Sequence, residues 1–171
     1  MGEKRLVIDQ LKLTYEGLLD VNGLIRTIDS WLYEKGYDKW DAKNYEQDLP
    51  TGKEVDMELL PWKKITDYFE NMFKIRLRIS NVKDVEIEHN GVKRIVQKGK
   101  LMMIFDAYQH SDYEGMWESK PIFFFFRTLF DKFVFKKTVA YYERWLVNDL
   151  YDLHSRIQRF LNIYRYEKRI G

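Results

Sequence analysis

His110, Asp112 and Glu114 come closest, among the residues of this chain, to the types and spacing of a chemical site. Alternate residues of an extended segment lie on one face, so such a segment would bring one imidazole and two carboxylates together. A set of this kind can hold a divalent metal ion. The stretch from residue 110 to 118 is also polar and contains Gly115, which is typical of a loop after a strand. Because nothing in the sequence fixes an extended conformation, we favour the loop and expect no metal.

Other motifs that carry chemistry are missing from the sequence. The chain contains no Cys, which excludes disulfides, thiol nucleophiles and Cys-ligated metals. It has no Gly-rich phosphate loop, no His-Glu-x-x-His and no nucleophile elbow. The carboxylate pairs, such as Asp149 with Asp152, have the spacing of a solvated face. We therefore expect no cofactor and no standard catalytic motif, and an enzyme that uses scattered pocket residues stays open.

Length and composition predict one folded domain. The chain has 171 residues, of which 45% are hydrophobic and 33% charged, so it can build a core and is neither disordered nor membrane-spanning. We expect one domain over residues 1–171, with a sheet and one inserted helix to about residue 118 and a Phe-rich segment and long helix over about 119–169. The N-terminus, Met1 to Leu6, lacks the apolar core of a signal peptide, which predicts a cytoplasmic protein.

Basic and acidic residues are unevenly divided along the chain. From Lys120 onward there are 11 basic and 5 acidic residues, against 18 and 22 in the rest. The basic C-terminal part suits contact with an anionic surface. Its tail interleaves cations with aromatic residues, a composition that can bind nucleic acid. The apolar face of the helix includes Phe160, Leu161 and Tyr164, which would be buried and could not stack on bases. We therefore do not favour nucleic acid as a partner.

Alternation of apolar and polar residues predicts a sheet with one inserted helix. Asp20 suits the N-cap of a helix from Val21 to Lys35, and Gly36 suits its end. Asn90-Gly91 is a strong hairpin signal, whereas Trp62 to Met72 fits a short helix or the start of a strand. The segments that read as strands are Leu11 to Tyr15, Tyr37 to Tyr45, Val55 to Leu59 (stopped near Pro61), Phe73 to Ile79, Val85 to Glu88, Val92 to Val96 and Leu101 to Tyr108.

A long amphipathic helix is predicted near the C-terminus, where the apolar residues recur in steps of three and four. No Gly or Pro interrupts the chain from Ile122 to Arg169. We expect this helix to cover the apolar face of the sheet, with a coiled-coil partner helix as the alternative. The apolar stripe consists of Val139, Tyr142, Leu146, Leu150, Leu153, Ile157, Phe160 or Leu161, and Tyr164.

The order of elements resembles the helix-grip superfamily of START-like and polyketide-cyclase-like domains. The resemblance implies an α+β fold in which a curved antiparallel sheet of six to seven strands packs around the long C-terminal helix, with an apolar small molecule or lipid held between them. The family includes binding proteins and enzymes, so an enzyme acting in the same cavity is a third possibility. On this reading the residues expected to line the cavity are Met57, Phe73, Leu77, Met103, Phe105, Tyr142 and Trp145.

The run from Ile122 to Phe135 contains seven Phe in fourteen residues. It is too short to span a bilayer, which needs about 20 apolar residues. Complete burial within the domain is one interpretation. The alternative function is a structural or assembly protein that uses this run to contact a membrane surface, helped by Lys132, Lys136 and Lys137, or to form a homodimer.

Overall fold

The structure is a computed structural model that describes residues 3–111, 122, 125, 128–129 and 136–167, without the side chains of residues 89 and 164–167. The elements in chain order are strand β1 (Glu3–Leu19), helix α1 (Val21–Lys35), strands β2 (Asp38–Leu49), β3 (Gly52–Lys64), β4 (Phe69–His89) and β5 (Val92–Ser111), and helix α2 (Lys136–Glu167). The strands form one open antiparallel sheet in the order β1-β5-β4-β3-β2. The predicted α+β class is confirmed.

The number of strands differs from the prediction of six to seven, because the described residues form five. The segments Phe73 to Ile79 and Val85 to Glu88 belong to one strand, β4, and the two segments predicted after the hairpin turn belong to β5. The residues between Ile79 and Val85 suggested a break in β4. They instead form a register shift between Ser80 and Lys83. A bulge of this kind bends a strand without ending it.

The segment from Trp62 to Met72 is not the short helix, and the alternative, the start of the next strand, is confirmed for its last part, since β4 begins at Phe69. Strand β3 continues past Pro61 to Lys64, so the predicted stop at Pro61 is wrong. A tight turn follows, in which Thr66 Oγ1 accepts hydrogen bonds from the amides of Tyr68 and Phe69 at 3.1 and 3.0 Å. Strand β4 begins directly after this turn.

The local signals for α1 and for the hairpin are confirmed. The Asp20 side chain accepts a hydrogen bond from the Gly23 amide at 2.9 Å, and Gly36 ends the helix in the left-handed conformation, with φ of 72°. Asn90 and Gly91 have φ of 52° and 76°, as a type I′ turn between antiparallel strands requires.

Helix α2 covers the inner face of the sheet, as its apolar stripe predicts. It contacts β1, β5 and α1. Burying each large apolar side chain of the stripe stabilises the fold by about 1.5–3 kcal/mol. The stripe residues that are buried in the common core are Leu146, Leu150, Leu153, Ile157 and Leu161.

Polar contacts fix α2 against α1. The indole N–H of Trp31 donates a hydrogen bond to Asp152 on α2 at 2.8 Å. One turn further along, Arg156 forms an ion pair of 2.8 Å with Glu34. Since both contacts join the same two helices, they hold α2 in one register against α1.

Candidate functional site

The metal cluster considered for His110, Asp112 and Glu114 is described only at its first member. His110 lies near the end of β5, with Nδ1 at 3.7 Å from Glu70 Oε2. Its alternation with buried Gln109 and Ser111 places it on the outer face, away from α2. Asp112 and Glu114 lie outside the described residues. Within the described ranges no group of three His, Asp or Glu residues could hold a metal ion.

The residues expected to line a cavity fall into two groups. Five of them lie on the inner face and are buried in the core that α2 covers: Met57, Phe73, Leu77, Met103 and Phe105. Tyr142 is half-buried and its ring lies 5.3 Å from that of Phe69. Trp145 is 46% exposed. The structure therefore brings the sheet residues together on one face, while the two helix residues lie at its border.

A row of polar residues crosses the inner face near the border that Phe69 and Tyr142 form. Strand pairing sets Arg5 opposite Gln109, Gln109 opposite Asn71, and Asn71 opposite Lys63. We call Arg5, Gln109, Asn71 and Lys63 the polar band. The rows on either side of it contain the buried residues Phe69 and Phe73, so the band interrupts an otherwise apolar surface.

The two outer members of the polar band have partners on the helical side. Arg5 forms an ion pair with Glu143 of α2 at 2.9 Å. Lys63 donates a hydrogen bond from Nζ to the carbonyl oxygen of Lys35, at the end of α1, at 2.6 Å. These contacts close both ends of the band, so its middle is enclosed between sheet and helices.

The two central members are buried carboxamides with unpaired atoms. Asn71 is 0% exposed and Gln109 is 3% exposed. Among the described residues, Asn71 Nδ2, Asn71 Oδ1 and Gln109 Nε2 form no hydrogen bond of regular geometry, and Asn71 makes only a loose contact with the Tyr37 side chain. An unpaired buried polar group destabilises a fold by about 1–3 kcal/mol. The middle of the band thus has two donors and one acceptor ready for a hydrogen-bonding group.

Tyr37 borders the central part of the polar band. Its hydroxyl donates a hydrogen bond to Asp149 of α2 at 2.9 Å, and its ring stacks on Phe73 with a centroid distance of 5.0 Å. Burial, and next the negative charge of Asp149, raise the pKa of Tyr37, while a loose side-chain hydrogen bond with the Asn71 carboxamide lowers it to a smaller extent. Tyr37 therefore stays a neutral donor and holds Asp149 beside the band.

An aromatic cluster connects this region with the surface. Tyr142 contacts Phe69, and its ring centroid lies 5.9 Å from that of Trp145. The ring centroid of Trp145 in turn lies 5.2 Å from that of Tyr141. We call Phe69, Tyr141, Tyr142 and Trp145 the aromatic cluster. Because Phe69 is buried and Trp145 exposed, the cluster extends from the inner face to the surface.

The described part of the Phe-rich segment is helical and exposed. Ile122, Phe125 and Leu129 are 63%, 62% and 42% exposed. Their spacing of three and four residues places them on one face of a helix. The interpretation of complete burial is wrong for these three residues. The other Phe residues of the segment lie outside the described part of the chain.

The amides of the polar band were missed by the sequence interpretation, although a signal for them exists. Phe69, Phe73 and Ile75 alternate with polar residues on β4, and Asn71 occupies a position where this period requires an apolar residue. On β5, Gln109 occupies such a position after Phe105 and Ala107. A polar residue at a position where the strand alternation requires an apolar one indicates a buried polar group.

Within the described residues, no helix combines the length and the apolar character needed to cross a bilayer. Comparison of the chain with protein-family models, with curated proteins and with solved structures gave no match.

Proposed function

We propose that the protein is a binding module for a small amphiphile, held where α2 borders the inner face of the sheet. The neutral polar head of the ligand hydrogen-bonds to Asn71 and Gln109, and its apolar body lies along the aromatic cluster. The observation that carries this proposal is the pair of buried carboxamides, of which three of the four polar atoms have no hydrogen bond of regular geometry among the described residues.

The charges around the amides favour a neutral head. Glu143 and Asp149 approach the band from α2, and both are held by partners of their own, Arg5 and Tyr37. Arg5 and Lys35 already balance these two anions, so a carboxylate or phosphate head would add an unpaired charge to an enclosed region, which is strongly disfavoured. A hydroxyl or carbonyl group can accept from the two amide donors without this penalty. The ligand class is therefore an uncharged alcohol, ketone or amide with an apolar body.

The proposed place is narrower than the cavity that the sequence predicts. Phe73 borders the polar band, and Tyr142 and Trp145 belong to the aromatic cluster, so these three keep a role in binding. Met57, Leu77, Met103 and Phe105 lie further along the inner face, in the common core with α2. We assign those four side chains to stability of the fold.

A matched pair of probes tests the proposal. Decan-1-ol and decane have the same apolar body, but only the alcohol can hydrogen-bond. We expect the protein to bind the alcohol at least about 10-fold more tightly, which corresponds to roughly 1.4 kcal/mol. The Asn71→Leu/Gln109→Leu variant should bind the alcohol no more tightly than decane. Asn148→Leu/Gln158→Leu is the control, because it makes the same change at exposed positions of α2. Equal binding of both probes by the unmodified protein would sink the proposal.

Exposure of Ile122, Phe125 and Leu129 favours a second function, docking to an anionic membrane surface. The exposed residues Lys136, Lys137 and Arg144 lie on the adjoining part of the chain. Apolar side chains beside cations suit the interface of a membrane with anionic lipids.

Vesicle co-sedimentation tests this docking. We expect more protein to sediment with phosphatidylserine vesicles than with phosphatidylcholine vesicles, and the difference to disappear in Ile122→Ser/Leu129→Ser. Val92→Ser/Ile95→Ser is the control, because it removes two exposed apolar residues from the β4–β5 hairpin. A concentration-dependent dimer that binds neither kind of vesicle would contradict membrane docking.

A further inference from the structure

Charged residues in the middle of the outer face are paired. Asp56 lies 2.8 Å from Lys43 Nζ and 3.2 Å from Arg78. The hydrogen bond from Lys43, and next that from Arg78, lower the pKa of Asp56 against the opposing effect of burial. Asp106 on β5 lies 2.7 Å from Arg76. The basic residues in this part of the sheet are therefore already neutralised.

The end of the outer face that lies toward the β4–β5 hairpin is different. Lys83, Lys98 and Lys100 line an open cleft of about 630 Å³. None of the three has an ion-pair partner among the described residues. One carboxylate, Glu16, lines the same cleft, so three positive charges and one negative charge leave it with a net charge of +2. We call these three lysines and their surroundings the lysine cleft.

Strand pairing forces two of these lysines together. Lys83 on β4 lies directly opposite Lys98 on β5. Like charges at opposed positions of an antiparallel pair are destabilising. Lys100 follows two residues later on β5, so it shares a face with Lys98. The fold thus concentrates positive charge at one point of the sheet, and an anion bound there would remove the repulsion.

The backbone gives the cleft a defined wall. The register shift between Ser80 and Lys83 leaves Asn81 in the left-handed region, with φ of 56°. The β2–β3 turn packs directly against this bulge, since a Cβ on Gly52 would lie 2.9 Å from the carbonyl carbon of Asn81. Bulges often direct side chains at binding sites. Close packing of this turn therefore fixes the backbone of β4 directly before Lys83.

We propose that the lysine cleft binds a phosphate group. A phosphate carries up to two negative charges and three acceptor oxygens, which matches the net charge of the cleft, whereas a carboxylate would neutralise only half of it. Lysine ammonium groups bind phosphate as point charges and need no planar geometry. The phosphate can belong to a soluble phosphorylated compound or to a lipid headgroup. The cleft and the polar band use different residues, so this site does not depend on the proposed amphiphile binding.

Two probes separate the sources of the phosphate. The first is inorganic pyrophosphate, titrated at constant ionic strength and followed by amide chemical shifts. The second is a vesicle that contains phosphatidic acid, compared with one of phosphatidylcholine alone. Lys83→Gln/Lys98→Gln removes the opposed pair. Lys12→Gln/Lys93→Gln is the matched control, because it removes two exposed lysines outside the cleft.

We expect saturable shifts for the amides of residues 81–83 and 98–100, and affinity at least 10-fold lower in Lys83→Gln/Lys98→Gln than in the control. Binding of phosphatidic acid vesicles with the same dependence on these lysines would also support the site and would identify a lipid source. The variant should unfold at the same or a higher temperature, since it removes repulsion. The site is excluded if neither probe distinguishes the two variants, or if pyrophosphate shifts spread evenly over all the lysines.

Discussion

Asn71 on β4 and Gln109 on β5 lie directly opposite each other, and both side chains are buried beneath α2. Their neighbours on the inner face, Phe73 and Ala107, are themselves paired across the same two strands and buried. Polar groups at such positions are kept against a free-energy penalty, because apolar residues of similar size would pack there without unpaired atoms. A binding function gives a reason for this arrangement.

Replacing both amides by Leu is expected to stabilise the protein in the absence of ligand. Asn71→Leu/Gln109→Leu removes three unpaired polar atoms, so we expect the free energy of unfolding to rise by about 1–3 kcal/mol. Urea unfolding measures this change. Asn148→Leu/Gln158→Leu should stay within about 0.5 kcal/mol of the unmodified protein. A loss of stability in the first variant would mean that the amides are fully paired in the fold.

The contact between Trp31 and Asp152 predicts a specific dependence on pH. The hydrogen bond from the Trp31 indole, and next the charge of Lys35, lower the pKa of Asp152 from its ordinary value of 3.8. A lowered pKa in the folded state means that the stabilisation is complete above pH 3.8 and is lost as the pH falls through the lower folded value.

Asp152→Asn should therefore lose roughly 1 kcal/mol at neutral pH, and its stability should change less than that of the unmodified protein between about pH 4 and 2. Urea unfolding across this range provides the measurement. Asp84→Asn is the control, because this exposed carboxylate has no ion pair with the described residues. Parallel stability curves for Asp152→Asn and the unmodified protein would show that the contact does not form.

Truncation of the α2 stripe tests the packing of α2 on the sheet. Leu150 is completely buried in the common core, so Leu150→Ala should lower the free energy of unfolding by about 2–5 kcal/mol. Ile163 lies on the same helix and is mostly exposed, and Ile163→Ala should change it by less than about 0.5 kcal/mol. Similar small effects of both changes would show that α2 is not docked.

Two glycine substitutions test how closely the β2–β3 turn packs against the lysine cleft. A methyl group at Gly52 would lie 2.9 Å from the Asn81 backbone, whereas one at Gly91 would meet nothing within 4 Å. Both glycines have positive φ, so each change to Ala costs about 1 kcal/mol in backbone strain. We expect Gly52→Ala to be more destabilising than Gly91→Ala by at least about 1 kcal/mol in thermal unfolding. Equal effects would contradict close packing of the turn against the bulge.

Local features of the fold could be predicted from the sequence because their signals are local. The Asp20 and Gly36 caps, the Asn90-Gly91 turn and the apolar stripe of α2 each depend on residues a few positions apart. The strand count was wrong because the bulge near Asn81 depends on pairing with β5, and a single strand does not show where its partner shifts register.

The candidate site was harder to predict because its members meet through tertiary contacts. Arg5 reaches Glu143, and Tyr37 reaches Asp149, a residue 112 positions away. The sequence marks Asn71 and Gln109 as exceptions to an apolar period, but only the strand register shows that the two are opposed. Likewise, the three lysines of the cleft are unremarkable until β4 and β5 are aligned.

Native mass spectrometry of the freshly purified protein, before and after organic extraction, tests the proposed amphiphile binding most directly. We expect the chain of 20.9 kDa to carry an adduct, of roughly a few hundred daltons as for ligands of enclosed sites. The adduct should disappear on extraction, and it should be missing from Asn71→Leu/Gln109→Leu but retained by Asn148→Leu/Gln158→Leu. A bare mass for the unmodified protein, with no uptake of decan-1-ol, would contradict the proposal.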